Sequence, residues 1–226
     1  CRMKTVIIIP ARYASSRYPG KPLVKLTLPD GSRKSLIQLS WEAARSVVGV
    51  DTVYVATDDD RIRDMAKTFG AEVIMTSASC LNGTERCAEA LANAELDADL
   101  VINFQGDAPL TPHWFVEDLI MAMREDTVAS MATPVLRFDH LTYEHFTEDR
   151  RRGRVGGTTV VFDKNYHALY FSKEVLPFMN IKKSHQDAKL PAFHHVGIYA
   201  YRPDALAQYK AWQEGPLEQL EGLEQL

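Results

Sequence analysis

Four consecutive β-branched residues, Val6-Ile7-Ile8-Ile9, constrain this chain more than any other feature. Strand side chains alternate between faces, so an unbroken apolar run of this kind is buried on both. That describes an interior strand of a parallel sheet covered by helices. Pro10 has no N–H to donate and is expected to stop the ladder. The loop that follows carries three cations, Arg12, Arg17 and Lys21, with hydroxyls from Ser15 and Ser16. Gly20 permits a close backbone approach, and Pro19 and Pro22 stiffen the segment. Cations, hydroxyls and open N–H groups after a first parallel strand suit a polyphosphate. From composition alone, a solvated basic turn competes with that reading. Neither Gly-x4-Gly-Lys-Ser/Thr nor Gly-x-Gly-x-x-Gly is present.

The rest of the chain repeats the rhythm. Ser35 to Val48 reads as a helix with Leu36, Leu39, Ala43 and Val47 on one stripe, ended by Gly49. Thr52 to Ala56 reads as a strand, with Asp60 capping a helix to Phe69, and Glu72 to Met75 as the next strand. Asn82 opens a helix to Ala94, Leu100 to Phe104 is a buried strand, and Trp114 to Arg124 an amphipathic helix. Val128 to Leu136 reads as one strand, and 137–157 as the least regular region. Its Arg150-Arg151-Arg152-Gly153-Arg154 run suggests a solvated loop. Thr158 to Asp163 and Ala168 to Ser172 are short strands about a Lys164-Asn165 turn, and Phe193 to Arg202 an extended run. Pro203 to Trp212 and Pro216 to Leu226 read as helices. The expected fold is α/β: a mostly parallel, Rossmann-like sheet with helices on both faces. One domain spans 1–226, with a small β subdomain inserted at about 137–192.

Composition excludes several function classes. The 226 residues are 46% hydrophobic and 25% charged, with a net charge of −4, which favours neither nucleic acid nor an anionic membrane. No apolar run approaches the roughly 18 residues a bilayer span needs, and no secretory signal is visible. The three cysteines lack ligand spacing, and Cys80 and Cys87 read as reduced and structural, which fits a cytoplasmic setting. Met3 reads as the natural start.

Two further segments carry chemistry. Asn82-Gly83-Thr84-Glu85-Arg86 is either a plain helix N-terminus or a loop whose N–H groups face a ligand. Gln105-Gly106-Asp107-Ala108-Pro109 places a carboxylate at the end of a central strand, where it can hold a divalent ion. The next helix starts about five residues later, so Asp107 is not its obvious cap.

Pro10-Ala11-Arg12-Tyr13-x-Ser15-x-Arg17-x-Pro19-Gly20-Lys21-Pro22-Leu23 resembles the opening motif of the CMP-Kdo synthetases, the 3-deoxy-manno-octulosonate cytidylyltransferases. Residues 82–86 resemble that family's Ser-Gly-Thr-Glu-Arg loop, with Asn82 in place of Ser. Residues 103–109 resemble its Asn-x-Gln-Gly-Asp-x-Pro, with Ala108 where Glu is frequent. Residues 195–202 resemble its His-x-Gly-x-Tyr-x-Tyr-Arg, and 216–226 its Pro-Leu-Glu-x-x-Glu-x-Leu-Glu-Gln-Leu helix. The Arg150–Arg154 run departs from the family's shorter segment.

The resemblance implies transfer of a cytidylyl group from CTP to a 2-keto-3-deoxy sugar acid in lipopolysaccharide biosynthesis. It implies Arg12, Arg17, Lys21 and Asp107 as catalytic groups and Mg²⁺ on Asp107. Pro10, Ala11, Arg12, Ser15, Arg17, Lys21, Asn82, Gly83 and Gln105 would bind the nucleotide. Arg86, Gln105, His195, Tyr199, Tyr201, Glu224 and Gln225 would bind the sugar acid, with Arg202 a second candidate for its carboxylate. Tyr199 and Tyr201 are expected on one strand face with His195. A homodimer joined through the small β subdomain is implied, and members of the family continue past the position of Leu226 with another strand and a helix that carry a second Mg²⁺ carboxylate. Competing readings are a related acid, amino-deoxy Kdo or an acylneuraminate, and an inactive nucleotide-binding homologue. Tyr13 argues against the acylneuraminate variant, whose opening loop is Gly-rich.

Overall fold

The structure, a computed structural model, describes residues 2–14, 18–180 and 189–226. In chain order the strands are β1 (Thr5–Ala11), β2 (Lys25–Thr27), β3 (Arg33–Ser35), β4 (Thr52–Thr57), β5 (Glu72–Met75), β6 (Leu100–Asn103), β7 (Met131–Ala132), β8 (Val135–Arg137), β9 (Thr159–Phe162), β10 (Ala168–Ser172), β11 (Phe193–His195) and β12 (Tyr199–Tyr201). The helices are α1 (Leu36–Arg45), α2 (Asp60–Thr68), α3 (Gly83–Asn93), α4 (His113–Glu125), α5 (His140–Arg151), α6 (Pro203–Ala211) and α7 (Pro216–Glu221). The chain divides into two compact units, Cys1–Thr133 with Gly197–Trp212, and Pro134–Val196 with Gln213–Leu226. The segment read as an insert at about 137–192 lies in the second unit, which also takes in the C-terminal residues.

The first unit is built on a sheet of order β5-β4-β1-β6-β12-β7. β1 pairs in parallel with β4 and β6, and β4 with β5; β12 runs antiparallel to β6. The Val6–Ile9 run is at most 2% exposed, as an interior strand requires. Its alternate residues serve opposite faces. Val6 and Ile8 pack with Cys87 and Ala90 of α3 and Leu206 of α6. On the other face, Ile9 and Ile37 of α1 both flank Gly106. Chain order runs outward from β1 to β4 and β5, then returns to β6 on its other side. The switch point therefore lies between the carboxyl ends of β1 and β6, where open α/β sheets bind ligands.

Several boundaries differ from those the sequence suggests. β1 continues through Pro10, which pairs with Ala56. Ile8 O accepts from Phe104 N, so Pro10, two residues on, faces β6 as well, where the ladder has already ended at Asn103. No donor is missed. The buried stripe of α1 is Ile37, Ser40 and Ala44, one residue out of phase with the apolar count. Ser40 can lie inside because its Oγ donates to Gly106 O at 2.9 Å. Asp59, rather than Asp60, caps α2 by accepting from Arg61 N. The expected strand Val128–Leu136 breaks at Pro134 into β7, which pairs with β12, and β8, which pairs with β11.

The second unit is an antiparallel sheet of order β10-β9-β11-β8. Phe138, Leu190 and Ala192 form one small cluster, and Val160, Phe171 and Leu223 another. The region read as least regular contains α5, capped by Asp139 through Thr142 N at 2.7 Å. Its arginines are paired: Arg150 with Glu174, Arg152 with Glu148 and Arg154 with Asp149. The C-terminal helix stops at Gly222, whose φ of +62° ends it five residues before Leu226 is reached as helix.

Candidate active site

The polar groups of the first unit converge at the carboxyl ends of β1 and β6. Beyond Ala11 the chain turns back on itself, with Gly20 N donating to Tyr13 O at 2.8 Å. Gly20 has φ +70°, and a Cβ there would lie 2.9 Å from the Tyr13 ring, so both conformation and space demand glycine. A short 3₁₀ turn, Lys21–Leu23, follows with Pro22 inside it and Gly20 as its cap. Leu23 N donates to Gly20 O and Val24 N to Lys21 O, so the Lys21 backbone is fixed while its side chain is half-exposed.

From β6 the chain enters Phe104 to Pro109. Gly106 is held through its carbonyl by Ser40, and a Cβ on it would lie 3.2 Å from Pro10 O. Glycine thus lets the two strand-end loops close on each other. Their charged groups meet: Lys21 Nζ lies 2.6 Å from Asp107 Oδ2, each side chain about half-exposed. Arg12 is exposed just beyond β1. Ser15 and Arg17, expected in the same loop, lie outside the described residues.

The third contribution is the N-terminus of α3. Asn82 caps it, its Oδ1 accepting from Glu85 N at 2.8 Å and its Nδ2 donating to the Tyr209 hydroxyl at 2.9 Å. A Cβ on Gly83 would lie 3.2 Å from the Pro10 ring, 3.5 Å from Asn103 Nδ2 and 3.6 Å from Gln105 Nε2. Pro10, Gly83 and Gln105 are therefore neighbours. Gln105 Nε2 donates to Asn103 Oδ1 at 3.3 Å. Asn103 is fully buried, and its Nδ2 has no hydrogen-bond partner among the described residues.

Other sequence-assigned groups are structural in this fold. Arg86 is 3% exposed; its Nη1 donates to Thr76 Oγ1 at 2.6 Å and lies 3.3 Å from Asp58 Oδ1. It ties the carboxyl ends of β4 and β5 to α3, so it acts on the site by positioning. Arg202 is spent on backbone carbonyls, Nε on Ala129 and Nη2 on Met123 and Asp126. Tyr199 and Tyr201 are stacked core residues, and the Tyr201 hydroxyl shares a hydrogen bond with Thr84 Oγ1. The extended run from Phe193 is interrupted after His195, so these tyrosines and His195 belong to different sheets and share no strand face.

His195, Glu224 and Gln225 belong to the second unit. His195 meets the Phe171 ring edge-on, while His194 stacks on Phe138 from the opposite face of β11. Burial, with a smaller push from His194, depresses the His195 imidazole to about 4. Glu224 and Gln225 follow α7, which is anchored by Glu221: its carboxylate accepts from Ser172 Oγ at 2.7 Å, Lys173 N at 2.9 Å and the Tyr170 hydroxyl at 3.1 Å. Those bonds hold its ionised form, and its pKa lies below the usual carboxylate range.

Among the described residues no cluster of three or more His, Cys, Asp or Glu could by itself hold a metal ion. One carboxylate is nonetheless a suitable donor for Mg²⁺, a hard cation commonly bound by one or two carboxylates and the substrate's phosphates. Asp107 offers such an oxygen on an open surface beside the Lys21 ammonium.

Sequence reasoning missed Ser40, Asn103 and Tyr209. Asn103 left a faint signal, a polar residue in an otherwise apolar strand, whereas Ser40 lies off the apolar stripe and left none.

A family model described as cytidylyltransferase matches residues 6–226. The chain is 42% identical to the 3-deoxy-manno-octulosonate cytidylyltransferase of Maricaulis maris, covering 99% of this chain and 83% of that protein. It is 39% identical to the 8-amino-3,8-dideoxy-manno-octulosonate cytidylyltransferase of Shewanella frigidimarina, covering 99% and 85%. A solved structure of CMP:2-keto-3-deoxy-manno-octonic acid synthetase complexed with CTP superposes with a TM-score of 0.82 at 37% identity, covering 98% of this chain and 83% of that one.

Proposed function

The chain belongs to the cytidylyltransferase family, and from that premise we propose that it activates the eight-carbon sugar acid Kdo with CTP, giving CMP-Kdo and pyrophosphate for lipopolysaccharide biosynthesis. One observation carries the site assignment: Lys21 and Asp107, on loops from β1 and β6, meet at 2.6 Å at the sheet's switch point. A cation and a carboxylate there serve a triphosphate and its counterion.

The anomeric hydroxyl of the acid forms a new bond to the α-phosphorus as the bond to the departing pyrophosphate breaks, and the hydroxyl proton passes to solvent. Such chemistry depends on alignment and charge neutralisation rather than a covalent enzyme intermediate. Lys21 and Arg12, with Arg17, grip the phosphates and stabilise the leaving group. Gly83 and Asn82 present the α3 N-terminus to the nucleotide, whose negative charge the helix dipole favours. Gln105 orients the sugar acid, and His195, Glu224 and Gln225 are read as further contacts to it. His195, neutral near pH 7, would act as a hydrogen-bonding group there. Mg²⁺ held by Asp107 would supply charge neutralisation at the phosphates.

The phosphate grip cannot choose a base. Backbone groups at Pro10 to Arg12 and the loop after Thr76 are the candidates for reading cytosine, and buried groups left unpaired by another base penalise it. Pyrophosphate release tests the assignment. CTP is expected to exceed ATP and GTP by at least about tenfold, with UTP the nearest competitor. Turnover of glucose 1-phosphate with UTP or dTTP, and none with Kdo and CTP, would sink it. A parallel arm with the 8-amino acid is warranted by the Shewanella relative.

We also read the enzyme as a cytoplasmic homodimer. The Cys80 and Cys87 thiols are buried, in keeping with a reducing compartment, and among the described residues no helix is long and apolar enough to cross a membrane. Leu169 on β10 is 68% exposed, an apolar edge suited to a second copy. Sedimentation as a monomer throughout the micromolar range would contradict the dimer.

A further inference from the structure

We propose that the Lys21 ammonium is a resident cation on Asp107 that keeps a divalent ion off the carboxylate until a triphosphate draws the lysine away. Metal and nucleotide then load together. The proposal rests on the reading of Asp107 as the metal ligand.

Three features support it. Lys21 Nζ sits 2.6 Å from Asp107 Oδ2, inside the reach of a charge-assisted hydrogen bond. A dication bound at roughly 2.1 Å from the same oxygen could not share that space. The backbones on both sides are also fixed. Gly20, Leu23 and Val24 donate to Tyr13, Gly20 and Lys21 carbonyls respectively, and Ser40 holds the Gly106 carbonyl. The two side chains therefore face each other whenever nothing intervenes. Finally, both are close to half-exposed, so each can change partner without unpacking the core.

The direction of exchange follows from charge. A triphosphate offers Lys21 several anionic oxygens in place of one carboxylate, and it brings its own counterion toward the vacated Asp107. Free Mg²⁺ offers the lysine nothing in return and repels it. An exposed ion pair is weak, so the block is modest rather than absolute.

Proton relaxation enhancement with Mn²⁺ reads enzyme-bound metal directly, independent of turnover. Without nucleotide, wild-type enzyme should bind Mn²⁺ weakly. Lys21→Met should bind it about fivefold or more tightly, and Lys21→Gln should behave alike. Lys21→Arg, which keeps the charge, should stay near wild type. Adding Asp107→Asn to Lys21→Met should remove the gain. With CTP bound, the advantage of Lys21→Met should vanish. Equal nucleotide-free affinity in wild type, Lys21→Met and Lys21→Gln would overturn the proposal, as would a gain that survives Asp107→Asn. The CTP complex separates the two ideas. If Asp107→Asn weakens Mn²⁺ there while the lysine variants change nothing in the nucleotide-free enzyme, the resident-cation proposal falls and the metal reading stands. If Asp107→Asn has no effect there, both fall.

Discussion

The two units solve the problem of holding polar side chains in different ways. In the first, several polar groups around the strand ends lean on a thick core. Arg86 is buried against Asp58 and Thr76 and Ser40 against Gly106, and half-buried Asn82 bonds Tyr209. In the second, the clusters are small, and one carboxylate, Glu221, ties the C-terminal helix to β10 through three hydrogen bonds. The contrast teaches that the first unit can leave Lys21 and Asp107 half-exposed and exchangeable because their backbones are independently secured. The second unit must spend its ionised groups on holding itself together.

The sharpest way to probe this contrast is to remove the exposed carboxylate. Asp107→Ala touches no packing, so stability should hold and CTP affinity stay within about tenfold. Turnover should fall on the order of 10³-fold, since charge neutralisation in the transition state is lost. Isothermal titration and steady-state rates check both halves. Near-normal Mg²⁺-dependent turnover would remove Asp107 from the mechanism.

The second unit should respond in the opposite sense. Glu221→Ala breaks bonds to an ionised acceptor and leaves Ser172 and Lys173 N–H seeking partners, a loss of about 2–3 kcal/mol. Chemical denaturation should show it. If Glu224 and Gln225 contact the sugar acid as proposed, its KM should rise while the KM for CTP stays constant, because they follow the helix that Glu221 anchors. If both KM values rise equally, Glu224 and Gln225 have no particular part in holding the sugar acid.

These differences also mark what the sequence could reveal. The Val6–Ile9 run, the Gly20 turn and the carboxylate after β6 are legible because each obeys a rule that works over a few residues. Helix α5 is not, because it has no fully buried residue; only Tyr143 and Phe146 lean on the Phe138 cluster, too sparse a stripe to read. The break between His195 and Tyr199 is equally hidden. Both segments have strand character, and only tertiary pairing assigns one to β8 and β9 and the other to β6 and β7. The phase error in α1 has the same origin, since Ser40 reads as a solvent position until its partner carbonyl is known. Ion pairs such as Lys21–Asp107 join residues far apart in the chain, and no local pattern announces them.

A smaller effect tests the burial of the second unit through pH. His195 has its pKa depressed to about 4, below the unfolded value near 6.5. Between those values the unfolded chain binds a proton that the folded chain does not. Stability is therefore complete above about pH 6.5 and declines as pH falls toward 4. At pH 5 the deficit from this residue is about 2 kcal/mol. Denaturation midpoints of wild type and His195→Gln at pH 7 and pH 5 isolate it from the carboxylates. A wild-type slope no steeper than that of the variant would show that His195 is accessible to solvent protons in the fold.

The smallest effect returns to the first unit and asks how firmly its phosphate loop is secured. Arg61 lies with its guanidinium carbon 3.3 Å from the Tyr13 ring centroid, while Asp59 grips it through Nε at 3.0 Å and Nη2 at 2.7 Å. Tyr13 in turn fills the space beside Gly20 and accepts its N–H. An arginine outside the loop thus presses the ring against which the loop closes. Cation–π contacts at open positions are weak, so Arg61→Ala should raise the Kd for CTP only about two- to fivefold and leave kcat unchanged. Arg61→Lys, which keeps the charge but loses the planar fork, should fall between. A kcat loss approaching that of Asp107→Ala would mean that the Lys21 backbone depends on this stack, and that the loop is less secure than its own hydrogen bonds suggest.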